Sequence, residues 1–195
     1  MQKKKSAGTQ VIKILKGLNT LGLSERNLLF EQAIAISSFL SKIAPVRTLE
    51  IGLDLGVFAC GVMGTTKARH VAIDPYQKVI YKNAGLENAV GSGFGRKIEF
   101  YEGYSQLVLP HLWRRKRKFD FILINGDKKF DMYLMDFLLA DHILEVGGHV
   151  YLNCTWMPSV KKVEELILIQ KKNEYSLQKK IHGSGTLFKK IKEIR

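Results

Sequence analysis

Apolar and polar residues along this chain follow two alternating rhythms. Short apolar runs at Thr48–Ile51, Arg69–Ile73, Lys97–Tyr101, Phe119–Ile124 and His149–Asn153 read as strands. The nearly all-apolar Phe119–Ile124 suits a central strand buried on both faces. Between these runs, apolar residues recur at helical spacing. Val11, Leu15 and Leu18 fall on one face of a short amphipathic helix, with Lys13 and Lys16 off it. A longer helix runs from Ser24 to about Ala44, where Pro45 ends it. Further helices are expected over Tyr76–Ala84, over Ser105–Leu112 with an interruption at Pro110, and over Asp131–Leu144, stopped by Gly147-Gly148. One more runs over Val160–Gln170, capped by Ser159. Gly91–Gly95 reads as a flexible connection. Tyr175–Ile181 and Thr186–Ile191 read as a closing pair of strands joined through Gly183 and Gly185. Strands alternating with helices predict an α/β fold of three layers, with a mostly parallel sheet between helices. Residues 1–23 read as an amino-terminal amphipathic extension and residues 24–195 as a single domain.

The chemistry concentrates after the first two strands. Glu50-Ile51-Gly52-Leu53-Asp54-Leu55-Gly56 ends an apolar run in an acid and adds two glycines. Glycines there let the backbone turn tightly and approach a ligand, and the amides of the next helix point at whatever binds. Asp74 ends the second strand. That is where nucleotide-binding α/β folds hold two ribose hydroxyls, so an adenosine-type cofactor is expected.

Composition narrows the reading. The 195 residues are 46% hydrophobic and 25% charged, ordinary for a soluble globular protein, and no run approaches a membrane span. Met1–Lys5 resembles the basic region of a signal peptide, but Lys13 and Lys16 interrupt the apolar stretch a signal peptide needs, so a cytoplasmic location is expected. Cys60 and Cys154 form neither a disulfide framework nor a zinc motif, which fits a reducing compartment. His70, His111, His142, His149 and His182 are scattered, with no metal-spacing pair. The net charge of +13 is the unusual value. It leaves an anionic partner open, whether nucleic acid, a membrane surface or a phosphorylated substrate, beside the plain reading of a solvated surface; nucleic acid is not favoured, and the densest cluster is Trp113–Lys118.

Taken together, the segments resemble the class I S-adenosylmethionine-dependent methyltransferases, and within them the O-methyltransferase-like branch, methyltransferase family 24. The resemblance covers about residues 24–170 and rests on Glu50-Ile51-Gly52 with Gly56, and on His70–Gln77. It continues through Glu102-Gly103-Tyr104-Ser105, Phe119–Ile122, Gly147-Gly148 and Thr155–Val160. It implies a Rossmann-like seven-stranded sheet with an antiparallel last strand. It also implies that Glu50, Gly52 and Gly56 shape the pocket for the methionine part of the cofactor, and that Asp74 accepts from the ribose. Tyr104 and Ser105 would border the adenine, and Asn125 and Asp127 would face the transferred methyl group.

The departures carry chemistry too. Asp54 stands where relatives usually have a glycine, and could orient the cofactor's ammonium. Relatives often read Asp-Gly-Asp-His where this chain has Asn125-Gly126-Asp127-Lys128, and an acidic pair where it has Asn153-Cys154. In metal-dependent members those carboxylates hold a divalent cation. Magnesium and calcium prefer charged oxygen ligands, so no metal is expected here. Lys128 is a candidate general base at the family's histidine position, its rival reading being a solvated basic turn. The expected activity is methylation of a small molecule, at oxygen, yielding S-adenosylhomocysteine. A non-catalytic binding protein and a nucleic-acid methyltransferase are the rivals. The amphipathic Val11–Leu21 segment could pair two subunits as a homodimer.

Overall fold

The computed structural model describes residues 7–22, 24, 26–181 and 183–193. Met1–Lys5 and His182 lie outside them. In chain order the strands are β1 (Arg47–Ile51), β2 (Arg69–Ile73), β3 (Ile98–Tyr101), β4 (Phe119–Ile124), β5 (Leu144–Asn153), β6 (Tyr175–Ile181) and β7 (Gly185–Lys190). The helices are α1 (Ala7–Lys16), α2 (Arg26–Ile43), α3 (Val57–Thr65), α4 (Ala84–Gly91), α5 (Ser105–Arg114), α6 (Phe130–Ile143) and α7 (Pro158–Gln170).

The strands form one seven-stranded sheet in the order β3-β2-β1-β4-β5-β7-β6. β1 pairs in parallel with β2 and β4, and β4 with β5, whereas β7 runs antiparallel to both of its neighbours. The expected three-layer α/β architecture with an antiparallel last strand is therefore present. Because β1 connects outward to β2 and the chain returns to β4 on its other side, the strand order reverses between β1 and β4. A crevice opens there at the carboxyl edge of such sheets.

Side-chain alternation splits the core in two. Leu49, Ile51, Val71, Ile122 and Ile124 face α5, α6 and α7, packing on Leu109, Tyr133, Phe137 and Val163. The opposite face packs on α1, α2 and α3, with Val11, Leu15, Ile36, Leu40 and Met63 buried. α1 comes close to α3 at Gly64, where a Cβ would lie 2.8 Å from Ile14 Cδ1.

Several local expectations are corrected. The Tyr76–Ala84 segment is not a helix; Lys82 and Asn83 take left-handed backbone angles (φ 50° and 62°), and α4 starts only at Ala84. Gly91 belongs to α4 rather than to the connection that follows, in which Phe94 is buried and its carbonyl accepts from Lys97 N at 2.8 Å. α5 continues through Pro110 to Arg114, burying Leu109 and Leu112. α6 passes directly into β5 at Leu144, so Gly147-Gly148 lies inside the strand rather than before it. Ser159 does not cap α7: Met157 holds that position, and Ser159 Oγ donates to the Lys128 carbonyl at 2.6 Å.

Candidate active site

A cavity of about 540 Å³ opens at the carboxyl ends of β1, β2, β3 and β4, where the strand order reverses. Its wall includes Gly52, Asp54, Asp74, Tyr104, Ser105, Asn125 and Asp127. Seven residues singled out from the sequence are thus brought together. Glu50, Gly56 and Lys128 are absent from that wall.

The floor is built by the turn after β1. Gly52 has φ 86°, and a Cβ there would lie 2.6 Å from the Asn125 carbonyl oxygen. Only glycine lets β1 and β4 end this close together. Asp54 is in the left-handed region (φ 49°), and its carboxylate accepts from Tyr81 Oη at 2.7 Å and Asn125 Nδ2 at 2.8 Å. Burial raises the Asp54 carboxyl above its usual range, against the lowering pull of Tyr81 and Lys128. Asp54, Tyr81 and Asn125 also line a second cavity of about 160 Å³, whose other walls are Leu29, Leu53, Leu55, Val57 and Phe58. The hydrogen-bonded trio is a partition between the two spaces.

Asp74 is 1% exposed. Its carboxylate accepts from Tyr76 N at 2.7 Å, Asp54 N at 2.9 Å and Gln77 Nε2 at 3.3 Å. Two oxygens can accept about four hydrogen bonds, so acceptor capacity remains. Tyr76 and Tyr104 meet edge to face at the rim, with ring centroids 6.2 Å apart. Met132 and Met135 of α6 add a soft apolar wall.

Glu50 lies behind the cavity instead. It is fully buried between β1 and β2, with Oε2 3.1 Å from His70 Nε2, while His70 Nδ1 is 2.9 Å from Thr48 Oγ1. Burial, reinforced by Asp54 and Asp74, holds Glu50 well above the usual carboxylate range, and burial pushes His70 down to about 3. A neutral Glu50 donating to a neutral His70, which donates to Thr48, is the arrangement consistent with both. Strand alternation explains it: Thr48 and Glu50 share the sheet face opposite Leu49 and Ile51. Gly56 (φ 70°) lies at the start of α3, where a Cβ would meet the Gly85 carbonyl oxygen at 2.6 Å. Its service is the close approach of α3 and α4.

Lys128 is neither solvated nor free. Its ammonium donates to Asn125 O and Gly126 O, each at 2.7 Å, and to Asn125 Oδ1 at 3.1 Å. Asn153 Nδ2 donates to that same Asn125 Oδ1 at 2.8 Å. A divalent cation does not fit this arrangement. The oxygen at the end of β4 is neutral and already takes two hydrogen bonds, one of them from the Lys128 ammonium. Asn153 Oδ1 is left unpartnered, but it too is neutral. Asp127 is exposed, and its Oδ1 accepts from Lys129 N at 3.0 Å.

Sequence reasoning missed Asp136, Tyr81 and Gln77. Asp136 on α6 lines the cavity, accepts from Ser105 Oγ at 2.5 Å, and is pushed up to about 6 by burial. One signal was available: Tyr133, Asp136, Phe137 and Ala140 form the buried stripe of α6, and the acid stands out among apolar residues. Tyr81 and Gln77 sit in the non-helical turn after β2, where periodicity says nothing about side-chain direction.

This sheet order, with its crevice at the reversal point, defines the class I S-adenosylmethionine-dependent methyltransferase fold. The profile of methyltransferase family 24, described as a methyltransferase domain, matches residues 49–153, just over half of the chain. The chain belongs to that methyltransferase family. Among solved structures, it is similar to the O-methyltransferase TomG from Streptomyces achromogenes, involved in tomaymycin synthesis and crystallised with SAM. That likeness has 17% identity, a TM-score of 0.70, and covers 97% of this chain and 92% of the other. An O-methyltransferase from Bacillus cereus in complex with SAH matches at 18% identity and TM-score 0.66, covering 98% and 93%. The SAH-bound Podospora anserina methyltransferase PaMTH1 matches at 15% identity and TM-score 0.68, covering 96% and 88%. At these identities the likeness is one of fold. No curated protein matches the chain.

Proposed function

We propose that this protein transfers the methyl group of S-adenosylmethionine to an oxygen of a small acceptor, without a required divalent metal. The observation that supports it most is the cavity at the β1/β4 reversal in a chain of the methyltransferase family. Its volume lies within the ordinary range for small-molecule and cofactor sites. The cofactor supplies a sulfonium-bound methyl group, an electrophile that needs no activation by the protein.

What the chain contributes is binding and placement. The spare lone pairs of Asp74 take the ribose hydroxyls, and Tyr76 and Tyr104 with Met132 and Met135 bracket the adenine. Gly52 gives the methionine part its close approach, and Asp54 offers a carboxyl for its ammonium. Holding two reactants in line accounts for much of the rate of such a displacement. Burial lowers the Lys128 ammonium below its usual range, but with its donors engaged by loop oxygens it serves to hold the β4 loop rather than as a base. Asp127, exposed at the cavity wall, is the group open to receive or orient the acceptor's proton.

The test is a calorimetric titration with S-adenosylhomocysteine in the presence of chelator, then a panel of small phenols and hydroxy acids scored for S-adenosylhomocysteine release. Micromolar binding and acceptor-dependent release are expected. Binding without turnover for any acceptor would favour a non-catalytic role. No binding by folded protein would remove the reading altogether.

A further inference from the structure

Part of the basic charge has a definite place. In a parallel sheet every connection into a strand emerges on one edge, so the segments before β1, β2, β3 and β4 lie side by side, opposite the cavity. Arg47 pairs in register with Arg69, and His70 N donates to Lys97 O, so the starts of β1, β2 and β3 are neighbours. The start of β4 joins them, since Asp120 accepts from Val46 N at 2.9 Å and Arg47 N at 3.0 Å. With strands about 4.8 Å apart, this edge runs for roughly 15 Å.

The acids along it are occupied. Asp120 is held by those two amides, Glu145 pairs with Arg47 at 2.8 Å, and Glu99 pairs with Arg117 at 3.0 Å. Lys67, Arg69, Arg96, Arg114, Arg115 and Lys116 are exposed, and none of their side chains has a hydrogen bond or ion pair among the described residues. Large apolar side chains stand among them. Trp113 is 53% exposed, Val46 55% and Val146 55%.

We propose that this amino-terminal edge of the sheet docks the protein peripherally on an anionic lipid surface, leaving the cavity open on the far side. Clustered Lys and Arg are attracted to acidic headgroups, and a Trp with aliphatic neighbours suits the boundary between headgroups and chains. Exposed valines have no counterpart on a phosphate backbone. A nucleic acid lying here would also be a strand length from the transferred methyl group, roughly 17–20 Å. The position of this basic cluster thus favours docking over substrate capture.

The experiment is co-sedimentation with phosphatidylcholine vesicles, with and without phosphatidylglycerol. Expected are binding only to the anionic vesicles and release at about 0.5 M salt, where screening is short-ranged. Combined Arg114→Glu, Arg115→Glu and Lys116→Glu substitution should weaken vesicle binding by at least about tenfold. Its circular dichroism and S-adenosylhomocysteine binding should be retained. A second measurement leaves this edge unmutated: in a Trp156→Phe background, brominated lipid should quench Trp113 fluorescence. Equal binding to neutral vesicles, no binding at low salt, absent quenching, or tighter binding to an RNA oligonucleotide than to anionic vesicles would each overturn the proposal.

Discussion

The main-chain N–H of Asp54 donates to the carboxylate of Asp74 across 2.9 Å, so the turn after β1 and the end of β2 are one hydrogen-bonded unit. Asp74→Ala therefore removes a ligand acceptor and also strands the amides of Asp54 and Tyr76, at a cost of about 1–3 kcal/mol per unsatisfied group. S-adenosylhomocysteine affinity should fall by at least about tenfold, or roughly 1.4 kcal/mol. Asp74→Asn keeps an acceptor for the turn and should lose less stability than the alanine variant. Calorimetry with denaturant unfolding separates the two effects; unchanged affinity in both variants would mean that the ribose lies elsewhere.

Glu50 offers a contrast. A protonated carboxyl and an amide are nearly isosteric, so Glu50→Gln should leave stability within about 1 kcal/mol and cofactor-analogue affinity unaltered. Glu50→Ala opens a hole beside His70 and should cost on the order of 2–4 kcal/mol, again with little effect on affinity once folded. A large affinity loss in the glutamine variant would return Glu50 to the pocket.

Asp136 gives a pH dependence with a definite sign. Its carboxyl is raised from 3.8 to about 6 by burial, so between those values the folded state holds more proton than the unfolded chain. Its contribution to stability is therefore favourable below about pH 4 and is lost as pH rises through about 6, leaving a deficit of roughly 3 kcal/mol at neutrality. Asp136→Asn should remove that deficit. Urea unfolding should show a gain for the variant at pH 8 that shrinks toward pH 4, and a pH-independent difference would contradict the assignment.

The Lys128 ammonium predicts two behaviours. Lys128→Met leaves the Asn125 and Gly126 carbonyls without their donor and should destabilise the protein by about 2–4 kcal/mol. Turnover by the native chain should be indifferent to chelator. Activity that disappears with chelator and returns with magnesium would show that the loop rearranges to admit a cation.

Burial also raises the Cys60 thiol, to about 12. Thiolate is the reactive form, so Cys60 should resist alkylation in the native protein and label only on unfolding. Mass spectrometry of iodoacetamide-treated protein, with and without urea, reads this directly.

How much was legible in the sequence depends on the physical origin of each signal. β4 and β6 fall on Phe119–Ile124 and Tyr175–Ile181 as read, because apolar content and bounding turns report strands well. The count of seven strands and the antiparallel last one came through the family resemblance, not through periodicity; the strand order was not read. The turn after β2 was misread because Lys82 and Asn83 adopt left-handed angles, which asparagine tolerates but a lysine does not announce. In the site, residues immediately after strands were found because strand ends point at the crevice. Those held by tertiary pairing were not: Tyr81 reaches Asp54 from 27 positions away, and Asp136 reaches Ser105 from 31. Glu50 and Lys128 were visible as residues, but their direction depends on which sheet face or which loop carbonyl claims them.

β7 lies between β5 and β6 although it comes after both in the chain. As the chain leaves the ribosome, β5 and β6 must therefore wait, with a strand-wide gap between them, until residue 190 is free. Val150 and Leu152 have no completed sheet around them during that interval. Until then β5 presents an unpaired edge of the kind that other strands can capture, and β7 closes it.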